Sequence, residues 1–319
     1  MNILRYEMAL MGAPGFDGLG INLLGPTLMM FGSEEQKKEH LVPISKGQRA
    51  WCELYSEPQA GSDLSSAQTR AVRKGDHYVL NGQKVWNTGA HRADWGFCLA
   101  RTNPDAPKKN QGLSFFLIDM KTPGVEVCEI KNLTGRHSFN EVFFEDAKIP
   151  GENRVGAENQ GWIISNSLLG FERSAIEFIA YARMHLDALL QFAGNTQDGR
   201  NLMARNPALR HQLAELDVET DVASLLNSRV SWMQDNDLVA DAEAGMAKVF
   251  ASELLQRISQ TGMRLEGLYG SLLPGSPRAL LEGCVPDQYM ADLSWTIAAG
   301  TSEVLRTSIA TRGMGFPMR

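Results

Sequence analysis

Tyr55-Ser56-Glu57-Pro58-Gln59-Ala60-Gly61-Ser62-Asp63-Leu64 places a proline ahead of a glycine and small hydroxyl residues. Such a run makes a tight loop whose N–H and O–H groups can face an anion or the edge of a flavin, although alone it reads equally as a turn. Leu80-Asn81-Gly82-Gln83-Lys84-Val85-Trp86-Asn87-Thr88-Gly89 follows, with Trp86 at the exit of a β segment, where an indole serves either core packing or a ligand. Near the C-terminus, Gly300-Thr301-Ser302-Glu303 can cap a helix and place an acid in its first turn. That capping is compatible with a ligand role.

Elements that position these residues follow from periodicity. Residues 1–49 read as a helical entry segment, in which Ser33-Glu34-Glu35-Gln36 caps a helix to about Leu41 that Pro43 and Gly47 close. Residues 50–155 have strand texture. Two β runs meet at Lys74-Gly75-Asp76, Asn81-Gly82 is a hairpin-type dipeptide, and buried strands are expected at 95–100, 113–118 and 141–145. Short strands at this spacing point to a compact β-barrel or sandwich. Residues 156–319 are helical, with apolar residues from Ile163 to Ile179 at three- and four-residue steps. Further helices are expected over about 206–233, 241–262 and 277–293, with another near the C-terminus. The predicted fold class is α+β: a helical segment, a small central β-barrel domain and a C-terminal helical bundle.

A chain of 319 residues, 43% hydrophobic and 21% charged, has the length for a substantial core. The net charge of -6 and the lack of a basic tract argue against nucleic-acid binding. Cys52, Cys98, Cys128 and Cys284 form no CxxC pair, which implies reduced thiols in a packed interior and a reducing compartment, bacterial cytoplasm or mitochondrial matrix. No apolar run is long enough to span a bilayer, and the start lacks the basic region and cleavage site of a signal peptide.

Taken in order, these segments resemble the acyl-CoA dehydrogenase family over nearly the whole chain. Phe31-Gly32-Ser33-Glu34-Glu35-Gln36-Lys37, the Tyr55–Asp63 loop, Asn81-Gly82-Gln83-Lys84-Val85-Trp86, Phe143 to Pro150, Gly156 and Gly161 carry the likeness. It implies FAD between the β domain and the bundle, with flavin contacts at Tyr55, Ser56, Gly61, Ser62, Trp86 and Thr88. Thr301 and Glu303 match positions at the cofactor's distal half, and Ser62 also lies toward the substrate. The implied reaction removes a proton from Cα and a hydride from Cβ of an acyl-CoA thioester. Electron-transfer flavoprotein is the implied oxidant.

The sequence also departs from the pattern. Most members place the catalytic Glu two residues before the motif's Thr, where this chain has Ala299. A minority branch, the isovaleryl and long-chain types, places it on the first bundle helix just before an Arg. This chain reads Phe171-Glu172-Arg173 there, so the resemblance assigns Glu172 as the base, with Glu177 as a rival, and Arg173 to the CoA moiety. The Arg-Phe-Gly arrangement of the second bundle helix is not found between Gln191 and Arg200, and Gly267-Leu268-Tyr269-Gly270 replaces a glycine-rich segment. Family members carry helices ahead of the segment that starts at Met1, so the chain reads as N-terminally short. A homodimer or homotetramer is implied, or a heteromer, since branches acting on steroid side chains assemble with degenerate subunits.

Overall fold

The computed structural model describes residues 2–13, 17–172, 176–194, 202–236 and 238–317; the side chains of Asn2, Phe171, Glu172, Met203 and Ala204 are not among those described. Packing divides the chain into two compact units, one comprising Met1–Gly15 with Arg173–Arg319 and the other Phe16–Glu172.

The second unit begins with a π-helical turn at Leu19–Leu24, α2 (Gly25–Phe31) and α3 (Glu34–Ser45), α1 (Asn2–Leu10) belonging to the other unit. Ser33 accepts from the Gln36 amide at 3.2 Å while the Gln36 side chain accepts from the Ser33 amide at 3.0 Å, a reciprocal cap that fixes the start of α3. Pro43 does not close this helix, which continues to Ser45. The proline leaves the Glu39 carbonyl without its intrahelical donor, and that carbonyl accepts instead from Arg49 at 3.4 Å.

The strands are β1 (Trp51–Leu54), β2 (Arg70–Lys74), β3 (His77–Lys84), β4 (Trp95–Arg101), β5 (Leu113–Asp119), β6 (Val125–Lys131), β7 (His137–Pro150) and β8 (Arg154–Val155). They form one eight-stranded mixed sheet in the order β6-β7-β3-β2-β4-β5-β8, with β1 added to β4. The expected barrel is therefore an open sheet: its path ends at β6 and at β8 without a closing ladder among the described residues. Leu80 and Tyr78 of β3, Val142 and Phe144 of β7, and Cys98 and Phe116 of β4 and β5 bury into one core. Alternate residues Phe97, Leu99, Phe115 and Leu117 face a second core with Leu24, Leu28 and Ile44. Helix α4 (Gly161–Glu172) covers that face through Ile164 and Leu168.

The β2–β3 hairpin turns at Gly75-Asp76, with Lys74 opposite His77. Asn81-Gly82 is not a turn. β3 runs straight through it, opposite a bulge on β7 at Asp146, whose amide donates to Asn81 at 2.9 Å. Gly82 is required instead by close approach: a Cβ there would lie 2.7 Å from the Thr69 Cα.

The other unit packs α1, α5 (Ile176–Gly194), the short α6 (Leu202–Arg205), α7 (Pro207–Asp235), α8 (Asp241–Glu266), α9 (Cys284–Asp292) and α10 (Ser302–Ser308). Leu186 and Leu189 of α5, Leu213 and Leu216 of α7, and Leu254, Leu255 and Ile258 of α8 form its core. Asn206 caps α7 by accepting from the Leu209 amide at 3.1 Å. The helix expected over 277–293 is only Cys284–Asp292, because Leu281, Glu282 and Gly283 hold positive φ of 43°, 57° and 77° and break it. Cys52 and Cys98 are buried as expected, but Cys284 is exposed. No helix among the described residues is long and apolar enough to cross a membrane.

Candidate functional site

In the sheet unit the site is assembled where the loop after β1 meets the exit of β3. Tyr55 is buried, its ring edge-on to Phe97 at 5.7 Å and to Phe115 at 6.3 Å. The Val85 amide donates to the Ser56 carbonyl at 2.9 Å, tying the loop to the β3 exit. The bend is sealed by backbone bonds between Glu57 and Ala60 at 3.1 and 3.0 Å. Gly61 and Ser62 beyond it are exposed, and a Cβ at Gly61 would meet nothing within 4 Å.

Beneath the loop lies a pair that chemical motif reading passes over. Lys84 is fully buried, and its Nζ donates to Glu57 Oε1 at 2.8 Å, to the Tyr55 carbonyl at 3.0 Å and to the Leu99 carbonyl at 2.7 Å. Glu57 also accepts from the Gln68 amide at 2.5 Å and the Thr69 amide at 2.8 Å. Burial pushes the Glu57 carboxyl up, but the Lys84 ammonium and the Gln68 amide outweigh it and hold it below the usual glutamate range. A signal existed: Tyr78 and Leu80 set the inward parity of β3, and Lys84 falls on it. A lysine on an inward strand position requires a buried partner.

Trp86 follows with φ of 63°, a left-handed backbone that a bulky residue adopts only under constraint, and its indole is 60% exposed. Its ring is edge-on to Phe139 at 6.1 Å. Thr88 is exposed two residues on, and the Asn87 and Gly89 amides donate to the Asn140 and Ser138 carbonyls of β7 at 3.0 Å each. Tyr55, Ser56, Gly61, Ser62, Trp86 and Thr88 thus belong to one unit, and the Val85–Ser56 bond joins the loop to the β3 exit.

Thr301 and Glu303 belong to the helical unit. Thr301 caps α10, accepting from the Val304 amide at 3.2 Å, and Glu303 is exposed in its first turn, as the sequence predicts. Ala299 and Gly300 before them have φ of 55° and 91°. The buried Lys248 donates to the Gly300 carbonyl at 2.8 Å. Glu172 ends α4 by its backbone, but its side chain, like Arg173 and Arg200, lies outside the described residues. Glu177 is engaged by Arg5 at 3.0 and 3.1 Å, a contact that ties α1 to α5.

Residues 52–147 match the family model for the acyl-CoA dehydrogenase middle domain, and residues 159–314 that for the acyl-CoA dehydrogenase C-terminal domain. Acyl-CoA dehydrogenase FadE26 of Mycobacterium tuberculosis is 34% identical over 99% of this chain and 80% of its own length. The chain belongs to the acyl-CoA dehydrogenase family. Acyl-CoA dehydrogenase FadE34 of the same organism is also 34% identical, over 92% of this chain, which spans only 39% of that protein. Among solved structures, the ChsE4-ChsE5 complex from Mycobacterium tuberculosis has a TM-score of 0.91 and 34% identity, covering 100% of this chain and 82% of that one. The Tcur3481-Tcur3483 steroid ACAD has a TM-score of 0.91 and 31% identity, covering 100% of this chain and 81% of that one.

Acyl-CoA dehydrogenases are FAD-dependent, and the sheet unit fits a flavin on its own geometry. An outward indole on a constrained backbone is a surface for a planar aromatic ligand. Next to it, Asn87 Oδ1 is buried and has no hydrogen-bond partner among the described residues. A buried acceptor left in that state is explained by a donor that the chain itself does not supply.

Proposed function

We propose that this chain is an FAD-dependent acyl-CoA dehydrogenase that introduces a double bond between Cα and Cβ of an acyl-CoA thioester. The observation that carries the reading is Trp86, held outward at a positive φ beside the loop that presents Ser56, Gly61 and Ser62. Tyr55, Ser56, Gly61, Ser62, Trp86 and Thr88 hold the flavin, and Thr301 and Glu303 its distal half. When bound, FAD supplies the acceptor for the hydride leaving Cβ and hands the electrons to electron-transfer flavoprotein. Glu172 takes the α-proton, a task that needs a carboxylate beside a weak carbon acid in a site from which water is excluded. Arg173 binds the CoA moiety, and Ser62 contributes to the substrate side.

Ala299 favours a second reading, a non-catalytic subunit in a heteromeric dehydrogenase, since its methyl cannot accept a proton. The likeness to a complex of two named chains supports that assembly, and the steroid-named structure adds steroid acyl-CoAs to the substrates worth trying. The purified chain should show flavin absorbance that acyl-CoAs bleach, tested with straight, branched and steroid side-chain thioesters. Absence of flavin after reconstitution with excess FAD overturns the first reading. Flavin that no thioester bleaches moves the assignment to the second.

A further inference from the structure

A tryptophan does not hold a left-handed backbone unaided, because its Cβ crowds the following carbonyl. The residues that hold Trp86 there can be named from their bonds. On its N-terminal side, Lys84 is fixed at three buried acceptors, two of them backbone carbonyls on other segments, Tyr55 and Leu99. On its C-terminal side, Asn140 is fully buried and grips Asn87 twice: its backbone carbonyl accepts from the Asn87 amide at 3.0 Å, and its Nδ2 donates to the Asn87 carbonyl at 2.8 Å. Asn140 Oδ1 accepts from His137 Nε2 at 2.7 Å, which fixes the amide's orientation. The His137 ring is in turn stacked on His91 at 3.8 Å. Asn87 itself donates to the Glu53 carbonyl of β1 at 2.7 Å. Lys84, two residues before Trp86, and Asn87, directly after it, are thereby tied to β4, β1 and β7, which constrains the backbone of Trp86 between them.

We propose that Asn140 and the Glu57–Lys84 pair are positioning residues that hold Trp86 in its left-handed conformation, so that its indole and the Ser56 backbone keep a fixed relation as one cofactor-facing surface. The proposal rests on the flavin reading for its functional half, and on geometry alone for its structural half. Neither Asn140 nor Lys84 contacts the ligand; both act through Trp86 and the loop after β1.

The two halves are tested separately in the full-length protein. Asn140→Ala is expected to lower the thermal midpoint and to weaken FAD binding at least about tenfold, the scale of one lost buried hydrogen bond or more. It should also change the visible circular dichroism of bound flavin, a signature that loss of stability alone does not move. Adding Trp86→Gly to Asn140→Ala should restore most of the thermal midpoint, since glycine takes positive φ without strain. Adding Trp86→Ala, which still carries a Cβ, should not. FAD affinity should stay low in both double variants. Additive midpoints in that cycle overturn the clamp. A restored midpoint with FAD affinity and flavin dichroism unchanged in Asn140→Ala overturns the positioning role. Should Asn140→Ala fail to fold, Asn140→Asp, which keeps the acceptor for His137 and loses the donor to Asn87, is expected to show the same pattern. Wild-type protein that takes up no FAD overturns the flavin reading itself, while the midpoint cycle still decides whether the clamp exists.

Discussion

Two segments assigned to the cofactor, Lys84–Thr88 in the sheet unit and Ala299–Glu303 in the helical unit, solve the same local problem differently. Each contains a non-glycine residue at positive φ, Trp86 at 63° and Ala299 at 55°. Each is gripped by a buried lysine that donates to backbone carbonyls, Lys84 to Tyr55 and Leu99, and Lys248 to Gly300. In the sheet unit the ammonium is also bound to a carboxylate, Glu57, which is itself tied to two amides. The sheet site is therefore braced by a closed charge pair under the loop. The helical turn is braced from α8 and relies on Thr301 to cap the helix that follows.

The largest expected effect asks which segment the base has left. Glu172→Gln keeps shape and hydrogen bonding but removes the charge, and loss of a general base lowers flavin reduction about 10²–10⁴-fold. FAD content should be retained, because the assigned flavin contacts are elsewhere. Adding Ala299→Glu should return part of the rate if both positions reach one reaction centre. Flavin reduction that stays near normal in Glu172→Gln removes this assignment. Glu177 is then a poor heir, since its carboxylate is already bound by Arg5.

Removing the two lysines compares the braces directly. Lys84→Met strands the Glu57 carboxylate in the interior, and breaking a buried pair from one side costs about 3–5 kcal/mol. Lys248→Met removes a donor from the half-buried Gly300 carbonyl, a loss of about 0.5–1.5 kcal/mol. Denaturant midpoints of the two variants should fall in that order. The double variant Glu57→Gln with Lys84→Met should recover part of the first loss. Equal losses for both lysines would mean that the ion pair adds nothing to the sheet brace.

How far the sequence disclosed these features depends on the range of the interactions. Local rules found what is local: the Ser33 cap, the turn at Gly75-Asp76, the Thr301 cap with Glu303 behind it. Periodicity found β4, β5 and the long helices. What it misread was decided by partners far along the chain. Asn81-Gly82 looks like a turn until Thr69 is known to press against Gly82 and Asp146 to bulge opposite it. The short strands suggest a closed barrel, whereas pairing far along the chain leaves the path ending at β6 and β8. The assigned flavin contacts came from family motifs, whereas the bond from the fully buried Asn140 to Asn87 joins residues that no local rule pairs.

Falling and rising pH should weaken the two units in opposite directions. Glu57, held below the usual range, contributes stability that is fully present above the unfolded glutamate value of about 4.3 and is lost as pH falls through its lower folded value. Glu266, at the end of α8, is 3% exposed, and neither of its carboxylate oxygens has a hydrogen-bond partner among the described residues. Burial pushes it up to about 7. A raised acid favours the protonated folded state, so its effect has the opposite sign: stability falls as pH rises from the unfolded value toward about 7 and then levels. Glu266→Gln should therefore match wild type near pH ~5 and exceed it near pH ~8 in thermal midpoint, since the folded group titrates between those values. The Glu57→Gln, Lys84→Met double variant should lose less stability than wild type on acidification. A gap between Glu266→Gln and wild type that does not change with pH would show that Glu266 is not the group that titrates.

The smallest effect separates strain from bracing in the helical turn. Ala299 at φ of 55° pays the left-handed cost of a Cβ, about 1–2 kcal/mol, for a side chain that carries no charge. Ala299→Gly removes that cost but loosens the unfolded chain, which takes back about 0.4–1 kcal/mol. The net expectation is a gain of about 0.5–1 kcal/mol, a small rise in denaturant midpoint, with Thr301 still capping α10. Combined with Lys248→Met, the glycine should offset part of the lysine's loss, because a turn without strain needs less holding. If Ala299→Gly instead destabilises, the Lys248 brace and the Gly300 that follows already accommodate the alanine without strain. The likeness to the sheet site would then end at the lysine, and of the two residues Trp86 alone would be held against its own preference.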